Sequence, residues 1–299
     1  HEVLYYDPEC VSSEEFYAAL EKGQEIMAPA LARHNSSTAP SVGVIGHSHM
    51  DTAWLWHVGE TIKKCARTYS NQLNLMEQYP EYTFVQSSAF HGEVIRRHYP
   101  ELFQRIQEKV AEGRYEPNGG VWVECDCNIT SGESMVRQFL WGQRFTRKYF
   151  GYTSDAFWLP DTFGYSAAIP QIMQGCGVKY FLTTKMAWND TNQFPYDTFY
   201  WKGLDGTSVF SHLNKTHVWP APKDFYQYVY GTQSPDAIRQ KYVADRKLIS
   251  YGFGDGGGGP QYEMVEMARR CKDLEGCPKT EHTTVSRFMQ ELEANVHNP

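Results

Sequence analysis

Three short segments place metal-binding or nucleophilic side chains where apolar runs end. The first is Gly46-His47-Ser48-His49-Met50-Asp51-Thr52-Ala53-Trp54. In an extended chain His47, His49 and Asp51 point to one side, because side chains alternate with period two. Two imidazoles and a carboxylate converging there suit a divalent cation, most naturally zinc. A polar strand end with one satisfied core histidine is the bland alternative, and Asp51 tips the balance towards metal.

The second segment is Phe157-Trp158-Leu159-Pro160-Asp161-Thr162-Phe163-Gly164-Tyr165. Asp161 follows a Pro among aromatics, so it could bind metal, attack a substrate or simply serve a turn. The third is Gly252-Phe253-Gly254-Asp255 followed by four glycines and Pro260. No Lys-Ser/Thr follows those glycines, so a Walker-type phosphate loop is excluded, and a flexible solvent loop is the bland alternative. The glycines would let a ligand approach the backbone, leaving Asp255 as the one functional group.

These segments need a scaffold that brings strand ends together. Apolar β runs are expected at 42–46, 83–86, 120–123, 156–159, 180–183, 209–212 and 248–252. Helices are expected near 60–79, 92–112 (interrupted at Pro100), 132–150, 168–175, 235–247, 260–274 and 285–296. Ahead of them, Ser12-Ser13-Glu14-Glu15 has capping-box spacing and opens a first helix that Pro29 should end or kink. Thr130-Ser131-Gly132-Glu133 has the same spacing. The alternation predicts an α/β fold, and seven strands with crossover helices suggest a seven-stranded, mostly parallel β/α barrel over an open sheet; in either architecture active residues belong on loops at the C-terminal strand ends. Residues 1–40 form an N-terminal helix and linker, and 41–299 the catalytic domain.

Composition narrows the function classes. The 299 residues are 41% hydrophobic and 15% aromatic, enough for a substantial core. Lys and Arg number 28 against 35 Asp and Glu, a net charge of −7, which argues against nucleic acid as a partner. No apolar run approaches the roughly 20 residues of a membrane span. Seven Cys in a large domain do not form the dense, even framework of a small secreted protein, so a cytoplasmic location with reduced thiols is expected. The sequons at Asn35, Asn128, Asn189 and Asn214 are no more than chance supplies.

Together the segments resemble glycoside hydrolase family 38, the zinc-dependent α-mannosidases, and more closely its cytosolic and bacterial branch. The resemblance rests on GHSHMDTAWLW (46–56), KKCARTY (63–69), GGVWVECDCNITSGESMVRQ (119–138), FWLPDTFGYSAAIPQI (157–172) and GFGDGGGGP (252–260). It implies a barrel of the glycoside hydrolase/deacetylase type with Zn2+ at the C-terminal strand ends. Carried over by position, His49 and Asp51 would be zinc ligands, and Asp161 both a ligand and the catalytic nucleophile. Trp54 and Phe163 would line the mannose subsite, and Asp255 would be the general acid/base. Some branches place a second carboxylate directly after this one, where Gly256 stands here.

The family's fourth zinc ligand, a His in a later His-Arg-Gly-Thr-like segment, has no counterpart; His282 and His297 sit in other surroundings. The expectation is therefore a catalytic-domain fragment with an open metal site, impaired on its own. The implied activity is retaining hydrolysis of α-mannosyl residues from a mannose-containing oligosaccharide, with a homo-oligomer possible for the longer enzyme. A metal-dependent polysaccharide deacetylase and a non-catalytic sugar- or zinc-binding module are the alternatives.

Among the remaining residues, Asp126 is read as substrate rim and Glu124 as a sugar-hydroxyl partner or plain loop acid. His47 is read as a group orienting its neighbours, and His212 as a cleft or strand-end residue. Cys125 and Cys127 are read as buried or loop thiols rather than a second metal site, and Trp188, Trp201 and Trp219 as packing residues.

Overall fold

The computed structural model describes residue 7, residues 9–231 and residues 237–297. Among these residues ten strands lie in two sheets. The first contains β1 (Ser41–His47), β2 (Phe84–Val85), β3 (Tyr115–Glu116), β8 (Lys215–Val218), β9 (Lys247–Tyr251) and β10 (Lys279–His282). Its path runs β3-β2-β1-β9-β8, with β10 also paired to β1. The second runs β4 (Ala156–Leu159), β5 (Tyr180–Thr183), β7 (Ser208–Leu213) and β6 (Thr198–Lys202). Every pairing is parallel except β6 with β7.

The helices are α1 (Ser13–Leu31), α2 (Val58–Gln78), α3 (Ala89–His98), α4 (Pro100–Ala111), α5 (Gly132–Phe150), α6 (Ile169–Gly175), α7 (Pro222–Tyr230), α8 (Tyr262–Arg270) and α9 (Val285–Asn295). Parallel strands put their C-terminal ends on one side, which is where His49, Asp161 and Asp255 emerge. The sheets share a core. Ile45, Val85 and Leu248 of the first sheet and Ala156, Trp158, Leu182 and Phe210 of the second form one buried cluster, closed by Val285, Phe288, Met289 and Leu292 of α9. Asn214 alone separates β7 from β8, so one continuous stretch of chain passes from the second sheet to the first. On the other side Trp158 N donates to Gly119 O, just beyond β3.

Several expected elements are corrected. The seven expected runs do not form one seven-stranded sheet in the pairing pattern, which instead divides ten strands between sheets of six and four. The expected strand at 120–123 is reduced to a single bridge between Ser88 and Val121, and Tyr115–Glu116 pairs with β2 in its place. Gly120 turns the chain at φ +80, and a Cβ on Gly119 would lie 1.8 Å from Ser87 O, so backbone meets backbone there.

The helix expected at 235–247 falls partly outside the described residues. From Ala237 to Arg246 the chain forms turns. Here the buried Asp197 carboxylate accepts from Arg239 N and Gln240 N, taking donors a helix would need. Ser12 and Glu15 do form a capping box, but α1 runs past Pro29 to Leu31, where only the last turn loses a bond. At α5 the cap is Ser131, accepting from Ser134 N, rather than Thr130 with Glu133. Gly151 ends the same helix in the left-handed conformation.

Candidate active site and metal centre

β1 ends at His47, β4 at Leu159 and β5 at Thr183, and the residue two beyond each end turns into one cleft: His49, Asp161 and Lys185. β9 ends at Tyr251, and its glycine-rich loop brings Asp255 to the same place. One ligand atom each from His49, Asp161 and Asp255 lies within 4.8 Å of the others, the one such cluster among the described residues. Asp51 approaches the same imidazole, its Oδ1 3.5 Å from His49 Nε2, and Asp161 Oδ2 is closer at 3.1 Å.

His49 is buried, and burial alone would lower its pKa. The charge of Glu124, reinforced by Asp161, Asp51 and Glu124 contacts, instead pushes it up to about 12. Neither ring nitrogen has an aligned hydrogen bond, although carboxylate oxygens surround both. A sealed imidazole nitrogen facing several carboxylates is a donor set that fits a divalent cation of borderline softness. His49, Asp161 and Asp255 offer the ligand atoms that lie together, and Asp51 stands beside the same imidazole nitrogen.

Asp161 is tuned by two cations. Burial raises its pKa, but His49 and Lys185 outweigh that and hold the carboxyl well below the usual carboxylate range. Lys185 forms an ion pair with Asp161 and is itself buried. Its Nζ sits 4.6 Å from the Phe163 ring centre and 3.5 Å from that of Trp188, a cation held between aromatic faces.

Glu124 touches neither solvent rim nor open cleft. Its Oε2 is 2.7 Å from His49 Nδ1, and Ser87 Oγ donates to its Oε1 at 2.5 Å. His47 Nε2 lies 3.4 Å from the same Ser87 Oγ, and its ring packs on Trp158 at 4.4 Å. The line His47–Ser87–Glu124 therefore fixes the His49 ring so that Nε2 faces Asp51 and Asp161. Glu124→Gln is expected to weaken divalent-metal binding at this site about 10- to 100-fold, the usual cost of losing a carboxylate behind a ligating imidazole. Competition with a chelating dye measures this, and unchanged affinity would rule out the orienting role.

Other sequence candidates separate clearly. Trp54 and Phe163 are 64% and 58% exposed, and Phe163 borders the site through Lys185. Asp126 is exposed and spends Oδ1 on Asn128 N and Ile129 N, both at 2.8 Å, in a local turn. His212 is a satisfied core residue between Thr198 Oγ1 and Leu248 N. Cys125 and Cys127 are buried and belong to no metal-binding cluster, and all seven thiols are free. His282 lies on β10, bonded to Tyr251 Oη. Trp201 packs against Phe181, whereas Trp188, 65% exposed, lies over Lys185 and edge-on to Phe163.

Lys185 and His217 went unread in the sequence. His217 stacks on His49 with ring centres 5.3 Å apart, and its Nδ1 is 3.9 Å from Asp255 Oδ1. It adopts φ 58, and a Cβ on Gly254 would meet its ring at 2.5 Å, so only glycine admits it. Burial, with His49 adding repulsion, lowers its pKa to about 4.

Residues 39–299 match the glycosyl hydrolases family 38 N-terminal domain. The chain belongs to this family. Alpha-mannosidase G of Dictyostelium discoideum is 43% identical over 262 residues, covering 88% of this chain and 24% of its own length. Alpha-mannosidase 2C1 of Homo sapiens is 42% identical over 278 residues, covering 91% and 26%. The family 38 chain thus spans about a quarter of the length of these relatives. Among solved structures, an alpha-mannosidase from Enterococcus faecalis V583 superposes with a TM-score of 0.70 at 18% identity, covering 86% of this chain and 30% of that one. That likeness is one of fold, mixed α/β with a mostly parallel sheet. No helix among the described residues is long and apolar enough to cross a membrane.

Proposed function

We propose that this chain is the sugar-cleaving domain of a retaining, zinc-dependent α-mannosidase acting on terminal α-mannosyl residues of oligosaccharides. The observation that carries the reading is the approach of Asp161 and Asp255, whose oxygens come within 4.8 Å beside His49. Retaining glycosidases hold their two carboxyl groups about 5–5.5 Å apart, and inverting ones about 6.5–9.5 Å.

Asp161, kept ionised by Lys185 and His49, attacks the anomeric carbon. A bond forms from its carboxylate to that carbon as the glycosidic C–O bond breaks, and Asp255 gives its proton to the departing oxygen. Asp255 then takes a proton from water, whose oxygen displaces Asp161 and releases mannose with its configuration retained. Zinc, when bound by His49, Asp51 and Asp161, would supply Lewis-acid attraction for the cis 2- and 3-hydroxyls that distinguish mannose. Trp54 and Phe163 offer apolar faces to the sugar, and Asp126 a polar group at the rim.

The same arrangement supports a seven-stranded barrel in the order β3, β2, β1, β9, β8 with β7 as one strand bent at Asn214, β5 and β4, leaving β6 and β10 outside the ring. The shared core and the Trp158–Gly119 bond favour closure. The free thiols suit a reducing compartment, and we place the protein in the cytoplasm. The deciding assay offers zinc-loaded protein an aryl α-mannoside and an N-acetylated glycan. Release of mannose without acetate is expected; acetate release without mannose would make the protein a deacetylase.

A further inference from the structure

Asp255 sits on a tightly bent, glycine-rich loop. Its own φ is 55, in the left-handed region that favours glycine, and Gly252, Gly257 and Gly259 also have positive φ. Within the loop, Phe253 and Gly259 exchange backbone hydrogen bonds and Gly256 N donates to Gly254 O. A chain bent this way, and carrying an exposed carboxyl, needs outside support to keep one geometry.

That support comes from α2. Cys65, Tyr69, Leu73 and Met76 recur on one face of this helix and are buried in the core. The neighbouring stripe, Lys64, Thr68, Asn71 and Gln72, faces the loop and donates to its carbonyls in order. Lys64 Nζ reaches Gly256 O at 3.3 Å, and Thr68 Oγ1 donates to Gly257 O. Asn71 Nδ2 and Gln72 Nε2 both reach Pro260 O, at 3.2 and 3.3 Å. Gln72 is in turn held by Tyr82 Oη at 2.7 Å. From the other side Asp51 N donates to Asp255 O at 3.3 Å, tying the loop to the metal-ligand segment. Gly257 fits against Met50 only because it lacks a Cβ, which would lie 2.5 Å from that side chain.

We infer that Lys64, Thr68, Asn71 and Gln72 of α2 are positioning residues for Asp255, fixing its carboxyl at the distance from Asp161 that proton transfer to the leaving group needs. The inference rests on Asp255 being the general acid/base. Thr68 is the most informative member, being buried and donating to the carbonyl two residues after Asp255. Side chains that merely stabilised the fold would affect every substrate alike. Positioning residues for the acid affect only substrates whose leaving group must be protonated.

The test compares a dinitrophenyl α-mannoside, whose leaving group departs without a proton, with an α-mannosyl disaccharide. In Thr68→Val, kcat/KM on the disaccharide should fall about 10- to 100-fold, part of the 10²–10⁴ a general acid supplies, while the dinitrophenyl substrate changes less than about threefold. Thr68→Ser should restore the disaccharide rate. Hydrogen exchange gives a reading independent of turnover: amides of Phe253, Gly256 and Gly259 should exchange faster in Thr68→Val, with β1 and β9 unchanged. Equal losses on both substrates, or loop exchange identical to the parent, would overturn the inference. Asp255→Asn serves as the reference. If it shows the leaving-group signature and Thr68→Val does not, the role of α2 falls alone; if Asp255→Asn lacks it, the acid/base reading falls and takes the inference with it.

Discussion

Asp161→Asn is expected to lower kcat/KM on an aryl α-mannoside by about four orders of magnitude or more, ~5.4 kcal/mol of barrier. The amide keeps the size of the carboxylate but offers no anion to bond the anomeric carbon. The structure also gives the loss a second component. Lys185 is buried and pairs with Asp161, so the neutral variant leaves a desolvated ammonium without its partner. Breaking such a pair costs about 3–5 kcal/mol of stability. A thermal melt must therefore accompany the kinetics. A folded variant keeping more than about a hundredth of the parent rate would remove Asp161 from the nucleophile role.

His49→Ala should produce the second large effect. Without this imidazole, Asp51, Glu124 and Asp161 face one another with the central cation gone. Zinc content is expected to fall below about a tenth of an ion per chain, with activity down about a thousandfold, ~4 kcal/mol. Zinc at a hundred times its dissociation constant would stabilise the folded parent by about 2.7 kcal/mol, and this increment should vanish in the variant. Metal analysis and melting curves with and without chelator measure both. Full zinc occupancy in His49→Ala would contradict the assignment of His49 as a ligand.

His49, Asp161 and Asp255, picked out in three separate segments of the sequence, come together in the fold. His49 and Asp161 each stand two residues beyond an apolar strand, where parallel topology sends side chains into a common mouth. Lys185 occupies the same offset beyond Thr183 and could have been found by that rule, but an isolated lysine carries no local pattern. Glu124 reads in sequence as a sugar-hydroxyl partner or plain loop acid because His49, which it pairs with, is 75 residues distant, and only the tertiary fold joins them. Helix α5 and strand β4 match their expected bounds since strong periodicity, or an unbroken apolar run, coincides with a Gly or Pro stop. β8 escaped notice because Lys215-Thr216-His217-Val218 is polar and forms a strand only by pairing with β9. The turns before β9 replace an expected helix for a similar reason: Asp197, from a distant stretch, claims the backbone donors.

The covalent step gives the sharpest discrimination. The zinc-loaded protein, quenched during turnover of a slow fluorinated mannosyl substrate and digested, should carry one mannosyl unit per chain on the peptide containing Asp161. An adduct on any other carboxyl, or turnover that releases mannose with inverted configuration and no adduct, would contradict nucleophilic catalysis by Asp161.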